Sequence, residues 1–269
     1  MGRRYTSHTT CYTFFEPAGL EQQARISGWR RGTIVAVMWS FWDESGEHDG
    51  AGKLCRLTLG GFMAPWERIE ILTQRWREAL DAEGLAEFHM KEIASDEDRF
   101  AEWPTERQNR LKRFVDILCD CAVEFGAFSY VGDSRFGLFR DAYTSGFNRA
   151  YINFASFCER TGERGNIVFA KTEEISERLI GGYFARLGWG QYLDGYAVRL
   201  ARNEPALQAA EIVARGMKRL MQDGGITYSF ARVLIEAAKP GKAIRFWPPD
   251  AFAASVSLGH SLRVLLDPK

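Results

Sequence analysis

The sequence predicts an α/β domain with a central mixed sheet flanked by helices, and three patterns lead to this prediction. An apolar run at residues 35–46, which contains the acids Asp43 and Glu44, is typical of a buried strand. A second strand pattern at 53–64 follows a polar, Gly-rich turn, which indicates a hairpin. Beyond the hairpin, amphipathic helical segments alternate with short apolar strands.

The first strand is expected to be central because alternate residues on both of its faces are apolar. Asp43 and Glu44 leave it on opposite faces at its carboxyl end, where open α/β sheets bind ligands. The alternative interpretation is an acid that opens a turn completed by Ser45 and Gly46. Because clustered acids mark sites only as a tendency, the strand pattern alone leaves both interpretations open.

The segment after the hairpin predicts an amphipathic helix at 65–83 that ends at Gly84. An extended piece at 85–91 follows and carries Glu87 and His89. The later elements are predicted as a helix at 105–122, a strand at 125–131, a long helix at 137–160, a strand at 165–169, a helix from 175, a strand at 192–201 and a helix at 205–221.

Glu211 stands out on the last of these helices. At about 100° per residue it falls only about 40° from the inward-facing Leu207. A carboxylate at the edge of a buried face requires a cation, a donor or a metal. Ion pairs with Arg215 or Lys218 and a role in a site are both compatible with this spacing.

Composition limits the classes of function. Lys plus Arg and Asp plus Glu both total 35, so any site for a polyanion must be local. Five cysteines without C-x-x-C spacing indicate a reducing compartment, and no apolar run reaches the length of a membrane span. We therefore expect a cytoplasmic protein with no membrane segment. It divides into an N-terminal extension (1–33), the α/β domain (34–222) and a helical C-terminal extension packed on the core (223–269).

Three segments resemble the DUF3800 family, whose members look like ribonuclease H-type nucleases. The first is Trp-Asp-Glu-Ser-Gly at 42–46, with Leu-Gly-Gly-Phe at 59–62 closing the hairpin. The second is Glu-Phe-His at 87–89, and the third is Pro-Ala-Leu-Gln-Ala-Ala-Glu-Ile-Val-Ala at 205–214. The resemblance extends over most of residues 35–222 and implies a ribonuclease H-like fold.

The resemblance also implies a function, which is divalent-metal-dependent phosphodiester hydrolysis on RNA or DNA in a phage-defence or mobile-element setting. The cofactor would be Mg²⁺ or Mn²⁺. The implied metal ligands are Asp43, Glu44, Glu87, Glu173 and Glu211. The implied catalytic residues are Asp43, Glu87, His89 and Glu211, with His89 as a proton-transfer or outer-shell group.

One departure from the family pattern concerns the strand at 165–169, which commonly ends in Asp in the family and here ends at Ala170. Either Glu173 or Glu174 replaces that acid, or the site is degenerate. The alternative function is therefore a ribonuclease H-like module that binds nucleic acid or a partner protein without cutting. A small-molecule enzyme and a homo-oligomer also stay open.

The residue types favour hard cations over other chemistry, because three or four carboxylates hold two Mg²⁺ or Mn²⁺ ions in ribonuclease H-type sites. None of the four histidines has metal-ligand spacing with another, which disfavours zinc, and a Gly-x-Ser-x-Gly elbow is absent. Candidate phosphate contacts are Lys53, Lys91, Arg149, Arg199 and Arg202.

Overall fold

The computed structural model describes residues 37–48, 54–94, 97–131, 139–172, 177–187, 192–239 and 243–247. The described strands are β1 (Val37–His48), β2 (Leu54–Pro65), β3 (Glu124–Val131), β4 (Arg164–Ala170), β5 (Leu193–Arg199) and β6 (Ala243–Trp247). The described helices are α1 (Trp66–Glu83), α2 (Met90–Ile93), α3 (Thr105–Cys121), α4 (Phe139–Thr161), α5 (Glu177–Leu187), α6 (Pro205–Asp223) and α7 (Tyr228–Ala237). Short 3₁₀ helices span Glu97–Glu102 and Ala201–Asn203.

The described strands form one mixed sheet in the order β5-β4-β1-β2-β3-β6. Strand β2 is antiparallel to both β1 and β3. Strand β4 is parallel to β1 and β5, and β6 is parallel to β3. The predicted α/β class, the hairpin and the central position of the first strand are therefore confirmed.

Strand β1 continues to His48, two residues beyond the end of the predicted strand at 35–46. Its pairing with β4 stops at Trp42, one residue before Asp43, whereas its pairing with β2 continues to His48. Ser45 and Gly46 are therefore strand residues, and the interpretation of Asp43 as the start of a turn is wrong. The reason is that β2 continues to supply backbone partners after β4 has ended, so the hairpin extends beyond the parallel part of the sheet.

The two faces of the sheet enter separate cores. Phe41 and Phe62 belong to the core formed with α1, α3, α6 and α7, while Trp42 and Met63 belong to the core beneath α4 and α5. Neighbouring strand residues alternate between the two cores, as the pleat requires. Helices thus cover both faces of β1, which explains why both of its faces are apolar.

The helix that carries Glu211 has clear boundaries. Pro205 occupies its first turn, where a missing N–H costs nothing, and Gly224 ends it with a φ of 71°. Gly84 ends α1 in the same left-handed conformation, with a φ of 63°, as the sequence predicts.

The chain divides into two compact units between Val35 and Ala36. The expected N-terminal extension at 1–33 lies outside the described residues. In the expected C-terminal extension at 223–269, the described part contains helix α7 and then strand β6, which joins the sheet beside β3. Residues 248–269 lie outside the described range. None of the described helices has the length and apolarity needed to cross a membrane.

Candidate functional site

Asp43 lies at the carboxyl end of the parallel part of the sheet. Phe41, two residues earlier, belongs to the core shared with α6, so the strand alternation directs Asp43 toward the same helix. Its antiparallel partner across the hairpin is Gly60. Asp43 is partly buried. Its carboxylate therefore lies on the face of the sheet that α6 covers.

Gly60 brings α6 close to Asp43. A Cβ on this glycine would lie 2.2 Å from the backbone nitrogen of Ala214 and 2.4 Å from its Cα, so only glycine permits this approach. Gly61 is equally constrained, since a Cβ there would lie 2.1 Å from the carbonyl oxygen of Phe41. Gly60 thus allows the α6 backbone to rest on β2, one turn from Glu211, whereas Gly61 allows a close approach to β1.

Glu211 lies on the sheet-facing edge of α6, and its side chain is 17% exposed. Its Oε1 lies 3.4 Å from Nδ1 of His89. The backbone N–H of Met90 also donates to this carboxylate, and the charge of Arg215 acts on it favourably. The interpretation of Glu211 as a rim residue paired on its own helix therefore fails, because His89 precedes α2 and Met90 begins it.

The two carboxylates repel each other in a shielded position. Burial raises the pKa of Asp43 well above its usual value, and the negative charge of Glu211 raises it further. Burial also raises the pKa of Glu211, while His89, the Met90 N–H and Arg215 act in the opposite direction. Two acids held together in this way favour a bound cation, which would remove the repulsion and stabilise both charges.

His89 stands at the solvent side of this pair. Its side chain is 51% exposed, and it precedes the short helix α2 in an extended conformation. Phe88, its neighbour, is buried. His89 thus lies on an anchored segment and connects Glu211 to water.

The other predicted acids do not join this pair in the same way. The charge of Glu44 acts on Asp43, but Glu44 leaves β1 on the opposite face. The charge of Glu87 is not among those that act on Asp43 or Glu211, although Glu87 lies two residues before His89. Glu173 lies outside the described residues.

Ala170 ends β4 beside the site. It is 3% exposed and belongs to the same core as Phe41, so its methyl group lies on the Asp43 face of the sheet. Its partner on β5 is Arg199, and the N–H of the following Lys171 donates to the carbonyl oxygen of Arg199. The strand neighbouring β1 therefore brings a methyl group where the resemblance implies an acid.

Three cations on α6 and β2 were not among the predicted phosphate contacts. Lys218 Nζ donates to the carbonyl oxygen of Gly46 at 2.6 Å, and Arg215 donates to that of Ala94 at 3.2 Å. Arg56 pairs with Glu47 at 3.3 Å. The spacing of Arg215 and Lys218 from Glu211, four and seven residues, was the available signal, since these intervals share a helix face.

The predicted phosphate contacts are more scattered than these three. Lys91 is exposed two residues after His89, Arg199 and Arg202 flank the end of β5, and Arg149 lies on α4 in the opposite layer. Lys53 lies outside the described residues.

Within the described part of the chain, no group of three or more His, Cys, Asp and Glu side chains is arranged to hold a metal ion. The chain matches no family model, and no curated protein is significantly similar to it. The resemblance to DUF3800 therefore rests on the three short segments.

Proposed function

We propose that this protein is a divalent-metal-dependent nuclease of ribonuclease H-like fold that hydrolyses phosphodiester bonds in RNA or DNA. The observation that carries the proposal is the pair formed by Asp43 on the central strand and Glu211 on a late helix. A mixed sheet flanked by helices, with acids in these two places, is the architecture that the resemblance to DUF3800 implies.

The donor set fits Mg²⁺ or Mn²⁺. Carboxylate oxygens are the ligands that hard cations prefer, and Mg²⁺ is commonly held by one or two carboxylates together with water and substrate phosphates. Asp43 and Glu211 would hold the ion, and their mutual repulsion provides the reason to bind it. Such an ion activates water and stabilises the leaving oxygen in phosphodiester hydrolysis.

His89 would move protons at this site. Imidazole is the side chain that most often transfers protons in catalysis, and this one lies between Glu211 and solvent. Beside an ionised Glu211, the His89 Nδ1 would carry the hydrogen and donate it, which would leave Nε2 to accept a proton from water or from substrate. Lys218, Arg215 and Arg56 would contact the phosphate backbone beside the acids.

The second candidate function is a binding module that holds nucleic acid or a partner protein without cutting it, in a defence or mobile-element system. The methyl group of Ala170 favours this function, since it removes one expected ligand from the site. A cytoplasmic location is part of both proposals and is supported by the described cysteines, none of which forms a disulfide.

Cleavage assays separate the two functions. The purified protein is incubated with single- and double-stranded DNA and RNA in Mg²⁺ or Mn²⁺, beside Asp43→Asn, Glu211→Gln and a chelator. Asp81→Asn, at an exposed position on α1, makes the same chemical change away from the acid pair and serves as the control. A metal nuclease loses activity in both site variants and in chelator, and keeps it in Asp81→Asn. A wild-type protein that binds these substrates but cuts none of them favours the binding module.

A further inference from the structure

Gln208 makes an unusually complete set of hydrogen bonds next to the candidate site. It lies on α6 three residues before Glu211 and is 3% exposed. Its Oε1 accepts from Trp76 Nε1 at 3.0 Å and from the Phe88 backbone N–H at 2.9 Å. Its Nε2 donates to the carbonyl oxygens of Ala201 at 3.1 Å and Arg202 at 3.3 Å.

These four bonds fix the orientation of the amide. A glutamine amide has one oxygen that accepts two hydrogen bonds and one nitrogen that donates two, so the full capacity of Gln208 is used. Turning the amide over would face its oxygen toward two carbonyl oxygens and its nitrogen toward two N–H donors. The oxygen that receives the Phe88 N–H is therefore not interchangeable with the nitrogen.

The bond to Phe88 determines how the segment before α2 is presented to α6. The Phe88 ring packs against Trp76 and Phe114, with ring centroids 5.1 Å and 4.7 Å away. Ring packing holds the position of Phe88, and the hydrogen bond from its N–H to Gln208 fixes the orientation of the backbone there. The next two residues, His89 and Met90, are the ones that contact Glu211.

We propose that Gln208 is a positioning residue that holds His89 against the Glu211 carboxylate. Helix α6 then carries both Glu211 and, three residues earlier, Gln208, which orients the His89 partner of Glu211. The catalytic consequence rests on the proposed nuclease function. The geometric consequence does not, and it can be measured without metal or nucleic acid.

The test compares Gln208→Met with Trp76→Phe. Methionine has a similar length and is a good helix former, but it accepts no backbone hydrogen bond of comparable strength. Trp76→Phe removes the other donor to the same oxygen but keeps an aromatic ring beside Phe88 and the Phe88 N–H bond, so it controls for lost stability. The first readout is the ¹⁵N NMR signature of the His89 ring in metal-free protein, which reports the Nδ1–H tautomer favoured by Glu211.

The expected result is that the His89 signature is the same in wild type and Trp76→Phe and changes in Gln208→Met to that of a solvent-averaged ring. An unchanged signature in folded Gln208→Met would overturn the proposal. Amide exchange in the wild-type protein provides a measurement that needs no variant. Slow exchange at the Phe88 N–H is expected. Exchange at the rate of an open loop would contradict the hydrogen bond between this N–H and Gln208.

Kinetics separate this proposal from the proposed function. If the protein is a nuclease, Gln208→Met should lower kcat by about 10²-fold with KM little changed, as expected when a catalytic group is displaced by about 1 Å. Trp76→Phe should keep most of kcat. A wild-type protein that shows the NMR result but cuts no nucleic acid refutes the nuclease and leaves the positioning role standing. If Gln208→Met cuts nucleic acid with the kcat of the wild type, the positioning role of Gln208 is refuted and the nuclease function stands.

Discussion

Asp43 shows how one side chain can be unfavourable for folding. Its carboxylate is partly buried on the central strand, close to the charge of Glu211, and its pKa is raised for both reasons. An acid whose pKa is higher in the folded chain than in the unfolded chain lowers stability as the pH rises between the two values. Functional sites commonly carry such a cost.

We therefore expect Asp43→Asn to be more stable than the wild-type protein at pH 7, by about 0.5–2 kcal/mol. The gain should vanish below pH 3.8, the usual pKa of the carboxyl group, because Asp43 is then uncharged in both states. Urea unfolding from pH 3.5 to 7 measures the difference. A variant that is less stable than wild type at pH 7 would contradict the buried, repelled carboxylate. Mn²⁺ should stabilise the wild type but not the variant.

Ala170 allows the opposite experiment, which adds an acid. Ala170→Asp places a third carboxylate on the Asp43 face, where it should cost about 1–3 kcal/mol without metal, since the position is 3% exposed. Mn²⁺ should restore more stability to this variant than it adds to wild type. Thermal unfolding with and without Mn²⁺ is the measurement.

The matched control for that prediction is Ala197→Asp. Ala197 is also 3% exposed and belongs to the same core, but it pairs with Val168 and so lies two residues back from the strand ends. The Ala197→Asp variant should be less stable than the wild type, and Mn²⁺ should not restore its stability to a comparable extent. Equal metal responses in the two variants would show that Ala170 does not adjoin a cation site.

At the scale of elements, α6 organises the site. Successive positions on it hold the segment before α2 through Gln208, carry the acid Glu211, rest on β2 at Ala214 and place Lys218 beside the β1–β2 hairpin. The distance between α6 and the sheet therefore sets the distance between the two acids. Gly60 controls that distance.

We expect Gly60→Ala to lower the free energy of unfolding by about 1–3 kcal/mol, because its Cβ would overlap the backbone of Ala214. Displacing α6 should also weaken Mn²⁺ binding, since Glu211 moves away from Asp43. Urea unfolding and Mn²⁺ titration measure the two effects. Gly182→Ala on α5 is the control, as its Cβ would meet no heavy atom within 4 Å. Wild-type Mn²⁺ affinity in Gly60→Ala would argue against a site between α6 and β1.

At the scale of the whole molecule, charge is balanced. The formal net charge is zero, so attraction of a nucleic acid must come from a local group of cations. Burial lowers the pKa of Lys218, Glu47 acts in the opposite direction, and the positive charges of Arg215, Arg56 and Arg219 lower it further. These neighbouring cations on α6 and β2 form the part of the described surface that we propose for phosphate contact.

We therefore expect Lys218→Gln to weaken nucleic-acid binding and to reduce the slope of log K against log salt by about 0.7–0.9, the contribution of one phosphate contact. Binding is measured by fluorescence anisotropy in a metal-free buffer over a range of KCl. Lys239→Gln removes the same charge at an exposed position paired with Glu236 and should leave the slope unchanged. Equal slopes for wild type and Lys218→Gln would remove this lysine from the interface.

Local patterns predicted most of the architecture, but they missed strand β6 inside the segment predicted as a helical extension at 223–269. Apolar residues on both faces of residues 35–46 predicted a central strand, and the step of three and four residues after Pro65 predicted α1, because burial of a strand or a helix face leaves its period in the chain. Glu211 was also visible in this way, since its angle on α6 departs from that of a solvated face. The boundaries of β1 were less predictable, because they depend on how long each neighbouring strand continues to pair with it.

The sequence by itself thus determined the mixed α/β layering, the acids at residues 43 and 211, and the absence of a bulk charge. Only the tertiary structure decided which acids meet. The approach of α6 to Gly60, the amide of Gln208 that holds His89 near Glu211, and the methyl group of Ala170 beside Asp43 join residues that are far apart in the chain. Such contacts depend on packing and backbone geometry in three dimensions, which leave no periodic signal in the sequence.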